Sequence, residues 1–331
     1  MNHRERLEYA IHREKADCVA VSFWRHFPVD DQSAESLAKA TIAYQELFDF
    51  DLVKVSPSSS FCLQDWGAKD EWRGHPEGTR DYLEPVISNA DDWVKLKVLD
   101  PKKGRLAEQL KCLRLIKSKL GSDTPFIQSI FSPLAQAKNL AGKTDLQFYL
   151  RRYPEQFAAG LEVITESTFK FIEECLKIGV DGLFYAVQYA LYDLLSEGEF
   201  NTFGKTYDSK LFELIGAFKL NMLHIHGKNI MFDAVADYPM QIFNWHDRET
   251  EPNLKSGLGK TKGAVCGGVG RVETMVLGDT RKISSEINDA INQTAGKGLI
   301  IGTGCVLPQT APIGNIFAAV EYARSKSVDD V

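Results

Sequence analysis

Short apolar runs recur along the chain, and most are separated by stretches in which apolar residues return every three or four positions. Residues 19–24, 51–55, 125–130, 182–187, 221–225, 240–245, 264–268 and 299–302 read as strands. Between them lie amphipathic segments. Residues 4–13 carry Leu7, Ala10 and Ile11 on one side, and Ser33 caps a helix running to Phe48 with Leu37, Ile42 and Leu47 spaced for one face. Residues 91–96 and 104–120 follow, the latter with Leu106, Leu110, Leu113 and Ile116. A long helix opens with Pro154 in its first turn and stops at Gly179. Asp208 begins another, and 315–325 is a closing helix. Eight strands alternating with helices in one chain predict a single (β/α)8 barrel spanning residues 1–331. A doubly wound sheet fits less well, because it requires fewer strands or a visible second domain. Residues 61–89 break the rhythm with Trp66, Trp72 and Tyr82. Their length predicts a functional loop or a small meander over one barrel end.

Composition narrows the function. The 331 residues are 44% hydrophobic and 25% charged, enough for a large core, and the formal charge is −6. With no dense Lys/Arg cluster, that balance argues against a nucleic-acid surface. No apolar run is long enough to span a membrane, and the charged start shows no signal peptide. Six cysteines without paired spacing suit a reduced compartment, so the expectation is a cytoplasmic protein.

In a barrel of this kind the active site forms at the C-terminal ends of the strands. His26, Gln188, His224, His226, His246 and Cys305 all fall there. His224 and His226 stand at i and i+2 of one strand end and therefore share a face. With Cys305 arriving from another strand end, they form a candidate three-ligand zinc site whose fourth position is open, as in catalytic zinc. The plainer alternative is two ordinary barrel histidines and a buried thiol. Arg25 and His26 are candidates to anchor an anionic substrate end. Tyr185, Gln188, His246 and Asp247 are candidates to line the pocket or to support the ligands. Other motifs fail: Gly259-Lys260-Thr261 lacks the earlier glycine of a phosphate-binding loop, so 253–263 is expected to be a flexible surface loop. Gly302-Thr303-Gly304 leads to Pro308 rather than to a third glycine.

The order of these pieces resembles the uroporphyrinogen decarboxylase superfamily, which includes decarboxylases of haem synthesis and zinc methyltransferases of methanogens and acetogens. The resemblance rests on the first helix and the Trp24-Arg25 strand end, the 125–142 segment, and Leu223-His-Ile-His-Gly-Lys-Asn229. It continues through Asn244-Trp245, the glycines of the seventh strand, and Gly304-Cys-Val-Leu-Pro308 with Thr310-Ala-Pro312 and Asn315. The last block is similar to the run that supplies a zinc cysteine in the corrinoid-linked methyltransferases of the methylcobamide:coenzyme M type. The resemblance places His224 at the family's zinc histidine, Cys305 at its distal zinc cysteine, and His226 where the nearer cysteine stands. It implies a zinc-dependent methyltransferase that activates a small-molecule thiol acceptor, with the methyl group coming from a methylated corrinoid, such as one carried by a partner protein, or from a similar donor. The alternatives are a decarboxylase acting on a tetrapyrrole or altered substrate, a demethylase or hydrolase using zinc-bound water, and a barrel that only binds a corrinoid or a partner. Against the decarboxylase, Arg25 is followed by His-Phe-Pro-Val without a second arginine. The aspartate expected after the second strand is also replaced within Ser56-Pro57-Ser58.

Overall fold

In the computed structural model, which describes residues 1–142 and 146–326, eight parallel strands follow one another around a ring. They are β1 (Ala20–Val21), β2 (Val53–Val55), β5 (Phe126–Phe131), β6 (Gly182–Val187), β7 (Met222–Ile225), β8 (Ile242–Trp245), β9 (Ala264–Val269) and β10 (Leu299–Thr303). Their order is β1-β10-β9-β8-β7-β6-β5-β2. The ends of that series meet: the Asp51 amide donates to the Val21 carbonyl at 2.9 Å, and the Val21 amide donates to the Asp51 carboxylate at 2.8 Å. The protein is therefore an α/β barrel of the predicted kind.

Alternation along each strand sorts the core into two shells. The inner one takes a residue from every strand position around the ring, namely Ala20, Leu52, Ile127, Phe184, Met222, Ile242, Ala264 and Ile300. Their sequence neighbours, among them Val21, Val53, Tyr185, Leu223, Phe243, Val265 and Ile301, pack outward against the helices.

Several expectations needed correction. Residues 253–263 are not a loop: Leu254–Lys260 is helical, capped by the Asn253 side chain on the Ser256 amide. Its Gly257 lets the Trp245 ring pack within 2.3 Å of where a Cβ would be. The helix expected from Asp208 begins earlier, at a Ser196 capping box. It then proceeds in short pieces, because a π turn over Asn201–Lys205 shifts its phase. The 61–89 excursion holds an antiparallel hairpin, β3 (Lys69–Glu71) with β4 (Asp81–Glu84). Arg80 fastens it, donating to Asp70 at 2.5 Å and to the Pro28 carbonyl at 2.9 Å. Among the described residues no helix is long and apolar enough to cross a membrane, and the six cysteines are free thiols.

Candidate metal centre

The inward positions change character near the strand C-termini. Strand register sets His224 beside Asn244, and Asn244 beside Cys266, in one row across β7, β8 and β9. His226 lies one residue beyond β7, where its amide donates to the Val187 carbonyl at 2.9 Å. His246 stands one residue beyond β8 and Cys305 two beyond β10. Gly304 makes the last approach possible, since a Cβ there would sit 2.5 Å from the His246 Cα and 2.6 Å from the Trp245 carbonyl oxygen.

Four donor atoms converge as a result. One from each of His224, His226, His246 and Cys305 lie within 4.8 Å of one another, a group able to hold a metal ion. Cys305 Sγ is 3.7 Å from His224 Nε2 and 3.7 Å from His226 Nδ1. The His246 ring lies 5.2 Å from that of His226 and 6.1 Å from that of His224, centroid to centroid. His224 stacks on Phe184 at 5.1 Å.

Burial dominates the electrostatics. It drives the His224 imidazole well below its ordinary pKa and that of His226 down to about 3, with neighbouring positive groups adding to both shifts. His246 is also lowered by burial, against the opposing pull of Glu249. Burial pushes the Cys305 thiol up to about 11, although Arg271 and Lys54 act the other way. Without a cation, the cluster therefore holds neutral imidazoles and a protonated thiol at neutral pH.

The remaining candidate residues are dispersed around this group. Gln188 accepts from Lys138 Nζ at 3.0 Å. With His226 it lines a cavity of about 720 Å³ roofed by residues 73–85 of the hairpin. Arg25 donates to Gln309, whose amide donates to the His26 carbonyl at 2.8 Å, so both residues are tied to the loop after β10. His26 is buried next to the hairpin residue Gly78. Tyr185, expected at the pocket, points instead toward the helices, because its neighbour Phe184 takes the inward position. Its hydroxyl donates to Asp208 at 2.5 Å. Asp247 lies outside the donor group: its carboxylate accepts from the Gly268 amide at 3.0 Å and occupies the space that a Gly267 side chain would need.

Five further residues shape the site. Asn244 accepts from His224. Lys54 is an inward lysine on β2, its Nζ 4.6 Å from the Phe184 ring centre and 3.0 Å from Ser56 Oγ. Arg271 binds Glu77 of the hairpin and, at 3.4 Å, Glu249. A charged residue at an inward strand position was a readable signal for Lys54. Glu77, Glu249 and Arg271 lie on loops, where no periodicity marks them.

Fold and site together define a (β/α)8 barrel with a His/Cys group at its catalytic face. The chain belongs to the uroporphyrinogen decarboxylase (URO-D) family, which it matches over residues 10–326. Among curated proteins it is 22% identical over 302 residues to the methylcobamide:CoM methyltransferase MtaA of Methanosarcina barkeri, covering 89% of this chain and 85% of that one. It is 21% identical over 307 residues to the methylcobamide:CoM methyltransferase MtbA of Methanosarcina mazei, with 92% and 87% covered. A solved methyltransferase from Methanosarcina mazei superposes with a TM-score of 0.84 at 20% identity over 98% of both chains. A B12-independent methionine synthase from Shewanella sp. W3-18-1 gives 0.58 at 13% identity over 96% and 94%. At these identities the structural matches establish the fold.

Proposed function

We propose that the protein is a zinc-dependent methyltransferase in which His224, His226 and Cys305 hold the metal and a small-molecule thiol receives the methyl group. The observation that carries this reading is the placement of Cys305 Sγ at 3.7 Å from both His224 Nε2 and His226 Nδ1. In a tetrahedron with zinc–nitrogen bonds of about 2.0–2.1 Å and a zinc–sulfur bond of about 2.3 Å, the sulfur–nitrogen edges are roughly 3.6 Å. Neutral imidazoles suit the same role, and so does a thiol that ionises only when a cation arrives.

When bound, the metal lowers the pKa of a thiol and makes its sulfur a nucleophile at neutral pH. The protein's own residues do the rest. Asn244 fixes the face that His224 presents. His226 sits at the border between the donor group and the cavity beneath the hairpin, so a substrate in that cavity reaches the donors past its ring. Lys138 and Gln188 offer polar contacts on the cavity wall.

The methylcobamide:CoM methyltransferase relatives support a methylated corrinoid as the donor, and a partner protein is the carrier proposed for it. The six free cysteines suit a cytoplasmic setting. A second imidazole in place of a thiolate leaves the site more electron-poor, which favours ionisation of an incoming thiol but makes its sulfur less nucleophilic. The test is to mix zinc-loaded protein with methylcobalamin and a panel of small thiols, following loss of the methylcobalamin absorbance. Thiol-dependent demethylation that disappears in Cys305→Ala supports the assignment. No demethylation with any thiol, despite a full complement of zinc, contradicts it.

A further inference from the structure

We propose that Lys54 is a further catalytic residue, its ammonium serving as the counter-charge of the acceptor sulfur and donating a hydrogen bond to it at the metal centre. This rests on the zinc reading above and deepens it by naming the group that holds the sulfur as a thiolate. Alternation along β2 puts Lys54 on the inward face two residues after Leu52, and Ser56 on that face two residues later. Lys54 Nζ donates to Ser56 Oγ at 3.0 Å, so the side chain bends up the barrel toward the strand C-termini, where the donor group lies. Its Nζ is 4.6 Å from the centre of the Phe184 ring, and the same ring carries His224 stacked at 5.1 Å. The ammonium and the proposed ligand His224 thus share one aromatic platform.

A buried charge calls for a partner. Lys54 is only 8% exposed, yet among the described residues its nitrogen is met by Ser56 and the Phe184 ring rather than by a carboxylate. Arg271, the other cation acting on Cys305, is neutralised by Glu77 and Glu249. His26 offers no charge, since burial and then Lys54 itself lower it to about 3. Burial raises the Cys305 thiol, and Lys54 is among the cations that oppose this. Burial lowers Lys54 to about 8 and Cys305 draws it back up, so the ammonium persists at pH 7. An acceptor sulfur arriving beside Cys305 enters the same field. When the thiol binds, its proton passes to solvent and Lys54 keeps its own. With one sulfur lone pair on the metal and one on Lys54, the third faces the barrel mouth. As the sulfur–methyl bond forms there, the donor–methyl bond breaks and its electron pair stays with the donor. The sulfur loses its charge, and Lys54 releases it.

Ligand titrations of the cobalt-substituted protein, followed by its visible spectrum, read this without turnover. 2-Mercaptoethanol binds through sulfur as an anion, whereas imidazole binds the same metal as a neutral ligand. In Lys54→Met, affinity for 2-mercaptoethanol at pH 7 should fall by at least about tenfold, while imidazole affinity changes less than about twofold and cobalt content stays full. Lys54→Gln, which keeps a donor without the charge, should recover only part of that loss. Equal weakening of both ligands would mean that Lys54 only shapes the site, and unchanged thiol affinity would remove it from the reaction. Either result overturns the inference and leaves the three-ligand reading intact. Wild-type protein that takes up neither cobalt nor zinc removes that reading and this inference together.

Discussion

Asn244 Oδ1 lies 2.6 Å from His224 Nδ1, and the Asn244 amide gives its protons to the carbonyls of Cys266, at 2.8 Å, and Thr303, at 3.1 Å. With both amide protons committed, the oxygen is left to accept. The proton between the two residues therefore belongs to His224 Nδ1, and the lone pair on Nε2 faces Cys305. One carboxamide on β8 thus ties its own strand to β7, β9 and β10 and selects the tautomer that can bind a metal.

Asn244→Ala removes that selection without removing a ligand. Zinc affinity should fall about 10–100-fold while circular dichroism stays close to wild type. A chelator competition titration checks this, and unchanged affinity would mean that the tautomer is fixed in another way.

Cys305→Ala should lose most of its zinc with little loss of helix, because residue 305 lies beyond β10 rather than inside it. His226→Cys should keep its metal and react faster with thiol-directed alkylating reagents. Elemental analysis reads both variants, and full zinc in Cys305→Ala would refute the ligand assignment.

The number of protons displaced by zinc follows from the shifts. Burial lifts the Cys305 thiol to about 11, so it is protonated between pH 7 and 9. His226, depressed to about 3, and His224, lowered further than its ordinary value by the same cause, are already neutral there. Zinc should therefore release one proton, and its apparent affinity should rise about tenfold per pH unit across that window. A pH-independent affinity would show that the thiol is not a ligand.

Lys54 makes a prediction about the metal-free protein. Burial lowers its pKa from 10.5 to about 8, so the unfolded chain holds this proton more tightly. At pH 7 both states are charged, and the folded state bears the full cost of burial. Lys54→Met should then be more stable than wild type at pH 7, by at most about 3 kcal/mol. The advantage should shrink as pH rises from 8 to 10.5, because deprotonation relieves the wild type. Denaturant titrations at pH 7 and pH 10 separate this from a simple packing effect, which would not vary with pH.

The barrel was legible because each strand is a short apolar run, and β6 even matches its expected limits of 182–187. β1 came out shorter than its run, since Phe23 and Trp24 remain buried without strand pairing. His224, His226 and Cys305 could be singled out because the strand ends fix their direction. Tyr185 was misread by one step of alternation, which reverses the face of a side chain. The helix at 254–260 was hidden by its glycines, whose low helix propensity is outweighed by packing on Trp245. The Glu77–Arg271–Glu249 chain joins loops far apart in sequence, and only the closed ring brings them together.

Zinc content is the most direct measure of the proposed centre. Protein purified without chelator should contain one zinc per chain, and Cys305→Ala prepared in parallel should contain almost none. Wild-type protein that remains metal-free after incubation with excess zinc, its four donors still unoccupied, would contradict the proposal.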